Sequence, residues 1–241
     1  MILVPALQPI VYGSTAEVLA YEVLARWRVN DKIMGPSDVG IEPSWRAVDA
    51  KMLSTIHDLS GTIASIAPRL FVNVSKGTVS DSKYLAPWLE NLMEILDDAS
   101  FAVVVEITEG VDDDCLQDAW PRLKRLGVKM ALDDFGHDRS SRSRLVRYDW
   151  DYCKFESGLV GGRATQDAIR YCRNSGILPI VERVERQHDS EQFTAMGLHW
   201  QQGFLHGRPA PIDCLKASEK LSWSGLNLAG APGPHSGQVT G

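Results

Sequence analysis

The chain has 241 residues, 44% of them hydrophobic, which is enough to bury a sizeable core in one large α/β domain or two small ones. We take a single domain as the starting interpretation. The formal net charge of −6 is mild and both signs are scattered along the sequence, so the basic surface needed to bind duplex nucleic acid is not expected.

The first predicted element is an antiparallel hairpin near the N-terminus. Residues 1–13 are apolar but contain two prolines and no basic segment, so they predict neither a signal peptide nor a membrane span. Residues 6–27 form two apolar stretches joined by the short polar loop GSTAE, which is typical of two strands that run in opposite directions.

Strands and helices then alternate along the chain. Two segments with helical spacing, residues 113–127 and 165–176, lie between apolar runs, and the second closes on a glycine suited to a helix end. This alternation predicts parallel βα units, and more than five of them favour either a closed barrel or a doubly wound sheet. The predicted strands lie in the runs LFVNVS, FAVVVEITE, VKMALDDFG, YCKFES, LPIVERVE and QQGFLHG.

Polar residues at the ends of these runs favour the barrel. Each lies near the C-terminal end of a different run, which is where a (β/α) barrel builds its active site. They are Asn73, Glu106, Asp133, Lys154, Glu182 and Gln202. From about Ser222 the chain becomes rich in Gly, Pro and Ser, so we expect one domain over residues 1–221 and a flexible tail over 222–241.

Acidic side chains dominate this constellation once Glu22 and Asp134 are added. Five carboxylates and an amide oxygen at one barrel mouth predict an all-oxygen site for Mg²⁺ or Mn²⁺. The adjacent pair Asp133 and Asp134 can hold two cations about 3.5–4 Å apart, an arrangement that activates water for phosphodiester cleavage, with Lys154 orienting water or phosphate. Any single acid after a strand is usually a helix cap or a solvated residue, but five successive polar strand ends favour a site.

Other features of the sequence point to no second site. The four cysteines form no C-x-x-C pair, which favours reduced thiols in a cytoplasmic protein over zinc or disulfides. The six histidines have no metal-ligand spacing, and the glycine cluster GLVGGR lacks the context of a nucleotide loop. The run DDFG occurs in kinases too, but no other kinase motif precedes it.

An ordered series of motifs running from Gln8 to Pro209 resembles the EAL domain of cyclic-di-GMP phosphodiesterases. The series begins with Glu22, Leu24 and Arg26, which fit E-x-L-x-R. Each motif alone is weak, but the ordered series is specific. The motifs that carry the resemblance are YEVLARW, FVNVS, VVEITE, ALDDFG, DYCKFE, VERVE and QGFLHGRP.

The resemblance implies a modified TIM (β/α)8 barrel with an antiparallel first strand. It also implies a two-metal site in which Glu22, Asn73, Glu106 and Asp133 bind one ion, and Asp133 and Asp134 share the second. Lys154 and Glu182 would be catalytic, Gln202 would place water or ligand, and Glu109 would brace the loop after Asp134. Gln8, Arg26 and Pro209 would contact the substrate, with Arg26 on a phosphate.

The chain departs from the family pattern at three places near this site. Family members commonly continue D-D-F-G with T-G-Y, whereas here His137, Asp138 and Arg139 follow. The usual K-x-D ends in Glu156, and the glycine of A-E-G-V-E is Arg183. This longer acid and this bulky cation are expected to disturb the site by shifting its catalytic residues by a fraction of an ångström. We expect Arg139 to hold its loop by an ion pair with Asp138, Glu109 or a neighbouring subunit.

Two functions from different classes are therefore carried forward. The first is metal-dependent hydrolysis of cyclic-di-GMP to linear pGpG by a homodimer. The second, motivated by the three departures, is a catalytically silent EAL-like domain that acts as a cyclic-di-GMP receptor or a protein-binding module. Only seven residues precede Gln8, so control is expected from expression, dimerisation or a partner, unless the chain is one domain of a longer protein.

Overall fold

The structure is a computed structural model that describes residues 1–30, 32–40, 42–137 and 141–215. Asp138, Arg139 and the segment expected to be a tail, 222–241, lie outside the described residues. Within the described ranges, no helix combines the length and the apolar character needed to cross a bilayer.

Eight strands form a closed barrel. The ring consists of β1 (Ile2–Tyr12), β2 (Glu17–Val29), β4 (Arg69–Val74), β5 (Ala102–Ile107), β6 (Lys129–Leu132), β7 (Tyr152–Glu156), β8 (Leu178–Glu182) and β9 (Trp200–Gln202). Strand β1 pairs with β2 on one side and with β9 on the other, in both cases antiparallel, and every other neighbouring pair around the ring is parallel. This confirms the expected barrel with an antiparallel first strand.

Two short strands extend the sheet beyond the ring. Strand β3 (Lys32–Met34) pairs with the end of β2, and β10 (Ala210–Pro211) pairs with β1. The N-terminal hairpin is confirmed, although Glu17 of the expected loop already belongs to β2. The runs predicted as strands correspond to β4 to β9, although β4 and β9 each begin one residue earlier, at Arg69 and Trp200. The strand before Asp133 begins at Lys129 rather than Val128.

Helices cover the outside of the barrel. Both predicted helices are present, and the one over residues 165–176 ends before Gly176, whose φ of +74° suits the reversal after a helix. The helices are α1 (Trp45–Asp58), α2 (Ser60–Ala64), α3 (Lys76–Val79), α4 (Ser82–Asp98), α5 (Asp113–Arg125), α6 (Arg142–Arg147), α7 (Arg163–Asn174) and α8 (Gln187–Ala195).

The apolar core has two parts, because successive strand residues point to opposite faces. Residues such as Val72, Val105 and Leu132 point outward and pack against the helices, where they form the larger cluster with Leu53 and Leu92. The smaller cluster fills the barrel interior below the mouth. It contains Ile10, Ala20, Phe71, Val104, Ala131, Tyr152 and Ile180, with Trp200 packed against it.

Candidate active site

A layer of polar side chains lies above the smaller apolar cluster that fills the barrel interior, which we call the plug and to which each strand contributes one residue. On each of the eight strands, the residue two positions closer to the mouth than the plug residue is polar, and the period-2 alternation directs it into the same interior. In strand order these residues are Gln8, Glu22, Asn73, Glu106, Asp133, Lys154, Glu182 and Gln202. Eight predicted site residues therefore share one layer.

Lys154 is at the centre of this layer. Its side chain is 1% exposed, and its Nζ forms ion pairs with four carboxylates from four different strand ends. The distances are 3.2 Å to Glu22 Oε2, 3.3 Å to Asp133 Oδ1 and 2.6 Å to Glu182 Oε1, and Glu106 Oε1 is the fourth partner. One ammonium thus faces four carboxylates.

Glu22 is the carboxylate with the most complete set of donors. Asn73 Nδ2 donates to its Oε1 at 2.8 Å, and Gln202 Nε2 donates to its Oε2 at 2.6 Å, beside the Lys154 ammonium. Burial raises the pKa of Glu22, but the Lys154 charge and these hydrogen bonds outweigh burial, so its pKa lies below the ordinary value. Glu22 is therefore ionised at neutral pH.

The remaining carboxylates of the layer hold their protons more tightly. Burial raises the pKa of Asp133 to about 6 and that of Glu182 to about 8, against the opposing effect of Lys154. Burial also raises the pKa of Glu106 well above its usual value. Desolvation disfavours the charged form of Lys154, yet its four acidic partners raise its pKa well above the ordinary value, so it stays an ammonium.

The layer has the chemistry of a divalent cation site. Glu106 is fully buried, and its Oε2 has neither a hydrogen bond nor an ion pair within the described residues. Gln202 Oε1 is likewise buried without a donor there. Unpartnered buried oxygens and an excess of carboxylates over ammonium groups are stabilised by a hard cation, so the residues present fit Mg²⁺ or Mn²⁺.

A second acidic group lies next to the layer. Carboxylate oxygens of Glu109, Asp133 and Asp134 all lie within 4.8 Å of one another, which allows one cation to contact all three. The backbone of Asp134 has a φ of +45°, in the left-handed region that few residues other than glycine adopt. Glu109, expected to brace the loop after Asp134, is thus close enough to share a cation with the pair.

A cavity of about 790 Å³ opens beside these acids. Arg26 lines it near Glu22, with its Nη1 donating to the carbonyl of Ala25 at 2.8 Å. Gln8 lies on the opposite side of Glu22, where its Oε1 accepts from Gln202 at 3.3 Å and its Nε2 donates to Gly207 O at 3.2 Å. Pro209 immediately precedes β10 and lies outside the lining of this cavity.

The sequence profile of the EAL domain matches residues 2–209 of this chain. The chain belongs to the EAL domain family. Among curated relatives in Escherichia coli K12, the protein named "Probable cyclic di-GMP phosphodiesterase PdeN" is 26% identical, with 86% of this chain and 43% of the relative covered. Cyclic di-GMP phosphodiesterase PdeL is 25% identical, with coverages of 86% and 62%. The chain thus spans about half the length of these relatives.

Solved structures of other EAL domains share this fold. The Klebsiella pneumoniae BlrP1 complex with manganese and cyclic-di-GMP has a TM-score of 0.71 at 24% identity, covering 87% of this chain and 56% of that one. The EAL domain protein of Listeria monocytogenes EGD-e has a TM-score of 0.67 at 22% identity, with coverages of 91% and 93%. At these identities the likeness establishes the barrel alone.

Sequence reasoning missed the wall of the cavity that faces the acids. Trp45, Arg46 and Met52 of α1 line this wall together with Lys76 of α3. No periodic strand signal marks this stretch of the EAL domain, and a tryptophan at a helix start gives no sign that it lines a cavity. The structure shows what the sequence could not, namely that Trp45 lines the cavity and is 38% exposed there.

Asp49 is a second residue that the sequence did not single out. Its Oδ2 accepts hydrogen bonds from Ser75 N at 3.0 Å, Ser75 Oγ at 2.6 Å and Thr78 Oγ1 at 2.5 Å. Burial raises its pKa, with these hydrogen bonds acting in the opposite direction. Asp49 thereby attaches α1 to the loop that follows Asn73, and this contact fixes the cavity wall against the barrel mouth.

Three of the departures from the family pattern, His137, Glu156 and Arg183, lie at the rim of the same mouth. Glu156 binds His137 through Oε2 at 2.7 Å and Arg183 through Oε1 at 3.1 Å. Arg139 and Asp138 lie outside the described residues, so the ion pair expected for Arg139 stays a prediction. The two departures expected to disturb the site, Glu156 and Arg183, are joined to each other instead.

Proposed function

We propose that this EAL domain hydrolyses cyclic-di-GMP to linear pGpG and thereby lowers the concentration of a second messenger. The observation that carries the proposal is the complete polar layer, with one ammonium among four carboxylates and with Asp134 and Glu109 beside it. Support comes from relatives named cyclic di-GMP phosphodiesterases and from the BlrP1 complex with manganese and cyclic-di-GMP.

Two groups of residues would hold the divalent cations. The first comprises Glu22, Asn73, Glu106 and Asp133, and the second comprises Asp133 and Asp134, with Glu109 near enough to contribute. Bound Mg²⁺ or Mn²⁺ supplies Lewis acidity toward the phosphate and makes water a better nucleophile. Asp133 would belong to both groups. The aspartate pair directly follows the end of β6, so it stands where the two groups meet at the barrel mouth.

Lys154 and Glu182 would act directly on the reacting atoms. Lys154 is held as an ammonium by its four acidic partners, so it cannot accept a proton and instead donates hydrogen bonds to phosphate oxygens. Glu182 has a pKa raised to about 8 by burial, in the range suited to proton transfer near neutral pH. We assign Glu182, in its deprotonated form, to accept the proton of the attacking water, and Gln202 to position that water.

Hydrolysis by the purified protein is the decisive test. We expect conversion of cyclic-di-GMP to pGpG in the presence of Mn²⁺ or Mg²⁺, followed by chromatography of the nucleotides, and no conversion in EDTA. Absence of turnover at high enzyme and Mn²⁺ concentration across a broad pH range would sink the proposal. Calorimetry then separates a receptor, which binds the dinucleotide, from a protein-binding module, which does not.

The substrate would occupy the cavity beside the acids. Arg26, Arg46 and Lys76 bring positive charge to its wall, which suits the two phosphates of a cyclic dinucleotide. Trp45 and Met52 add apolar surface suited to a purine base. Gln8 and Pro209 lie on the β1 side of the mouth, and we keep them as proposed substrate contacts.

Replacing Arg26 with alanine is expected to raise KM about tenfold while kcat changes by less than about threefold, because a phosphate contact away from the reacting atoms supplies uniform binding. Steady-state kinetics measure the two constants. Arg28→Ala is the matched control, since Arg28 lies on the same strand outside the cavity lining and pairs with Asp213 at 2.8 Å. Equal effects of the two substitutions would contradict the role of Arg26.

We further propose that the domain acts in the cytoplasm as a homodimer. Support for the compartment comes from its four cysteines, all of which are free thiols in the structure. Support for the dimer comes from the match of residues 2–209 to the EAL domain family. The division into a domain over 1–221 and a tail over 222–241 also stays a proposal.

A further inference from the structure

We propose that His137, Glu156 and Arg183 form a positioning cluster that fixes the spacing between the Asp134 turn and Glu182. We call these three residues the rim cluster. The inference deepens the proposed phosphodiesterase function and rests on it for its kinetic part only. It concerns three side chains that differ from the common family pattern and that the structure joins by one hydrogen bond and one ion pair.

The rim cluster links three strand ends that carry reacting groups. His137 belongs to the turn after β6, and its backbone N donates to Asp134 O at 3.1 Å. Glu156 ends β7, two residues beyond Lys154, and it is the register partner of Glu182 on β8. Arg183 directly follows Glu182, and its carbonyl accepts from Ser157 Oγ at 3.0 Å.

Each oxygen of Glu156 serves a different loop. Oε2 accepts a hydrogen bond from His137 Nε2, and Oε1 forms an ion pair with Arg183 Nη1. The carboxylate of Glu156 is only 22% exposed on its side chain, so solvent screens these contacts less than it screens a pair on the open surface. An aspartate is one methylene shorter and could not reach both His137 and Arg183 from the same backbone position. The two contacts therefore explain why a glutamate stands at position 156.

Electrostatic repulsion makes such a brace useful. Asp133, Asp134 and Glu182 are three acidic side chains at one mouth, and the negative charges there repel one another. Without a tie, loops that carry like charges move apart, and a displacement of about 1 Å at reacting groups can cost about a hundredfold in rate. Glu156 ties the loop of one acid to the residue after the other.

The backbone of Arg183 indicates that the contact is held against a local cost. Its φ is +56°, in the left-handed region that a side chain other than glycine or asparagine rarely adopts. A glycine would adopt this conformation freely, so Arg183→Gly removes the ion pair and relieves the backbone at the same time. If Arg183 had no positioning role, the Arg183→Gly variant would be at least as stable as the parent protein and fully active.

Arg183→Gly is therefore expected to leave the thermal midpoint unchanged or raised. Both Arg183→Gly and Glu156→Gln should lower kcat about tenfold and change KM by less than about twofold. The double variant should be no worse than either single one, because both break the same contact. Arg183→Lys should recover part of kcat. Arg186→Gly is the control, since Arg186 is an exposed residue at the start of α8 and its loss changes the net charge equally.

Hydrogen exchange tests the cluster independently of turnover. Amides of residues 133–137 should exchange several-fold faster in Arg183→Gly and Glu156→Gln than in the parent or in Arg186→Gly, as measured by mass spectrometry on the full chain. Unchanged exchange, a parental kcat in Arg183→Gly, or additive effects in the double variant would overturn the inference. If the parent shows no turnover, the function proposal fails and the exchange result alone decides the cluster.

Discussion

Replacing Lys154 with methionine is expected to lower turnover by at least about a thousandfold, because the substitution removes the ammonium that contacts Glu22, Glu106, Asp133 and Glu182 while conserving the length of the side chain. The loss should appear in kcat. Lys129→Met is the matched control, because Lys129 is an exposed lysine on β6 that pairs with Asp151 at 2.6 Å. Turnover of Lys154→Met within tenfold of the parent would contradict the assigned role.

Lys154→Met is also expected to lower the free energy of unfolding, and a second substitution can show whether this loss comes from the missing charge or from altered packing. Removing one partner of a buried ion pair costs about 3–5 kcal/mol, since the remaining carboxylates are left without a counter-charge. Glu22→Gln in the Lys154→Met background removes the carboxylate that is ionised at neutral pH, so the double variant should recover part of the unfolding free energy while activity stays absent. Chemical denaturation in EDTA measures this recovery, and equal stabilities of the single and double variants would argue against an electrostatic origin.

Much of the barrel and its polar layer could be predicted from the sequence because both depend on local rules. Residues two apart on a strand face the same way, so an apolar residue followed two positions later by Glu106 or Asp133 already places an acid above a barrel plug. Parallel strands all end at the same side of the barrel, which brings those acids together. Neither inference requires knowledge of distant contacts.

The features that the sequence left open depend on distances across the barrel. Lys154 could be placed at a strand end, but its contact with four carboxylates depends on how the strands are staggered around the ring. Trp45 lies in the cavity only because α1 packs beside the mouth. Arg183 was expected to disturb the site, and its ion pair with Glu156 could not be predicted. The reason is that this contact depends on a left-handed backbone conformation that no sequence pattern indicates.

Without divalent cations, the protein is expected to lose at least about 1 kcal/mol of unfolding free energy between pH 7 and 8.5. Burial raises the pKa of Glu182 to about 8 and that of Glu106 well above its ordinary value, so the folded state binds more protons than the unfolded state in this window. Stability then falls as pH rises. Lys154 stays protonated throughout the window, and the lowered pKa of His206 acts only below about pH 6.5.

Saturating Mn²⁺ should abolish or reverse this decline, because a cation binds the deprotonated carboxylates that become available as pH rises and stabilises the folded state by mass action. Urea denaturation in EDTA and in Mn²⁺, at matched ionic strength, measures both trends. Glu182→Gln should flatten the trend in EDTA, since the amide does not titrate. A metal-free protein whose stability does not fall from pH 7 to 8.5 would show that these buried carboxyl groups are already ionised in the folded state at pH 7, and it would contradict the raised pKa of Glu182.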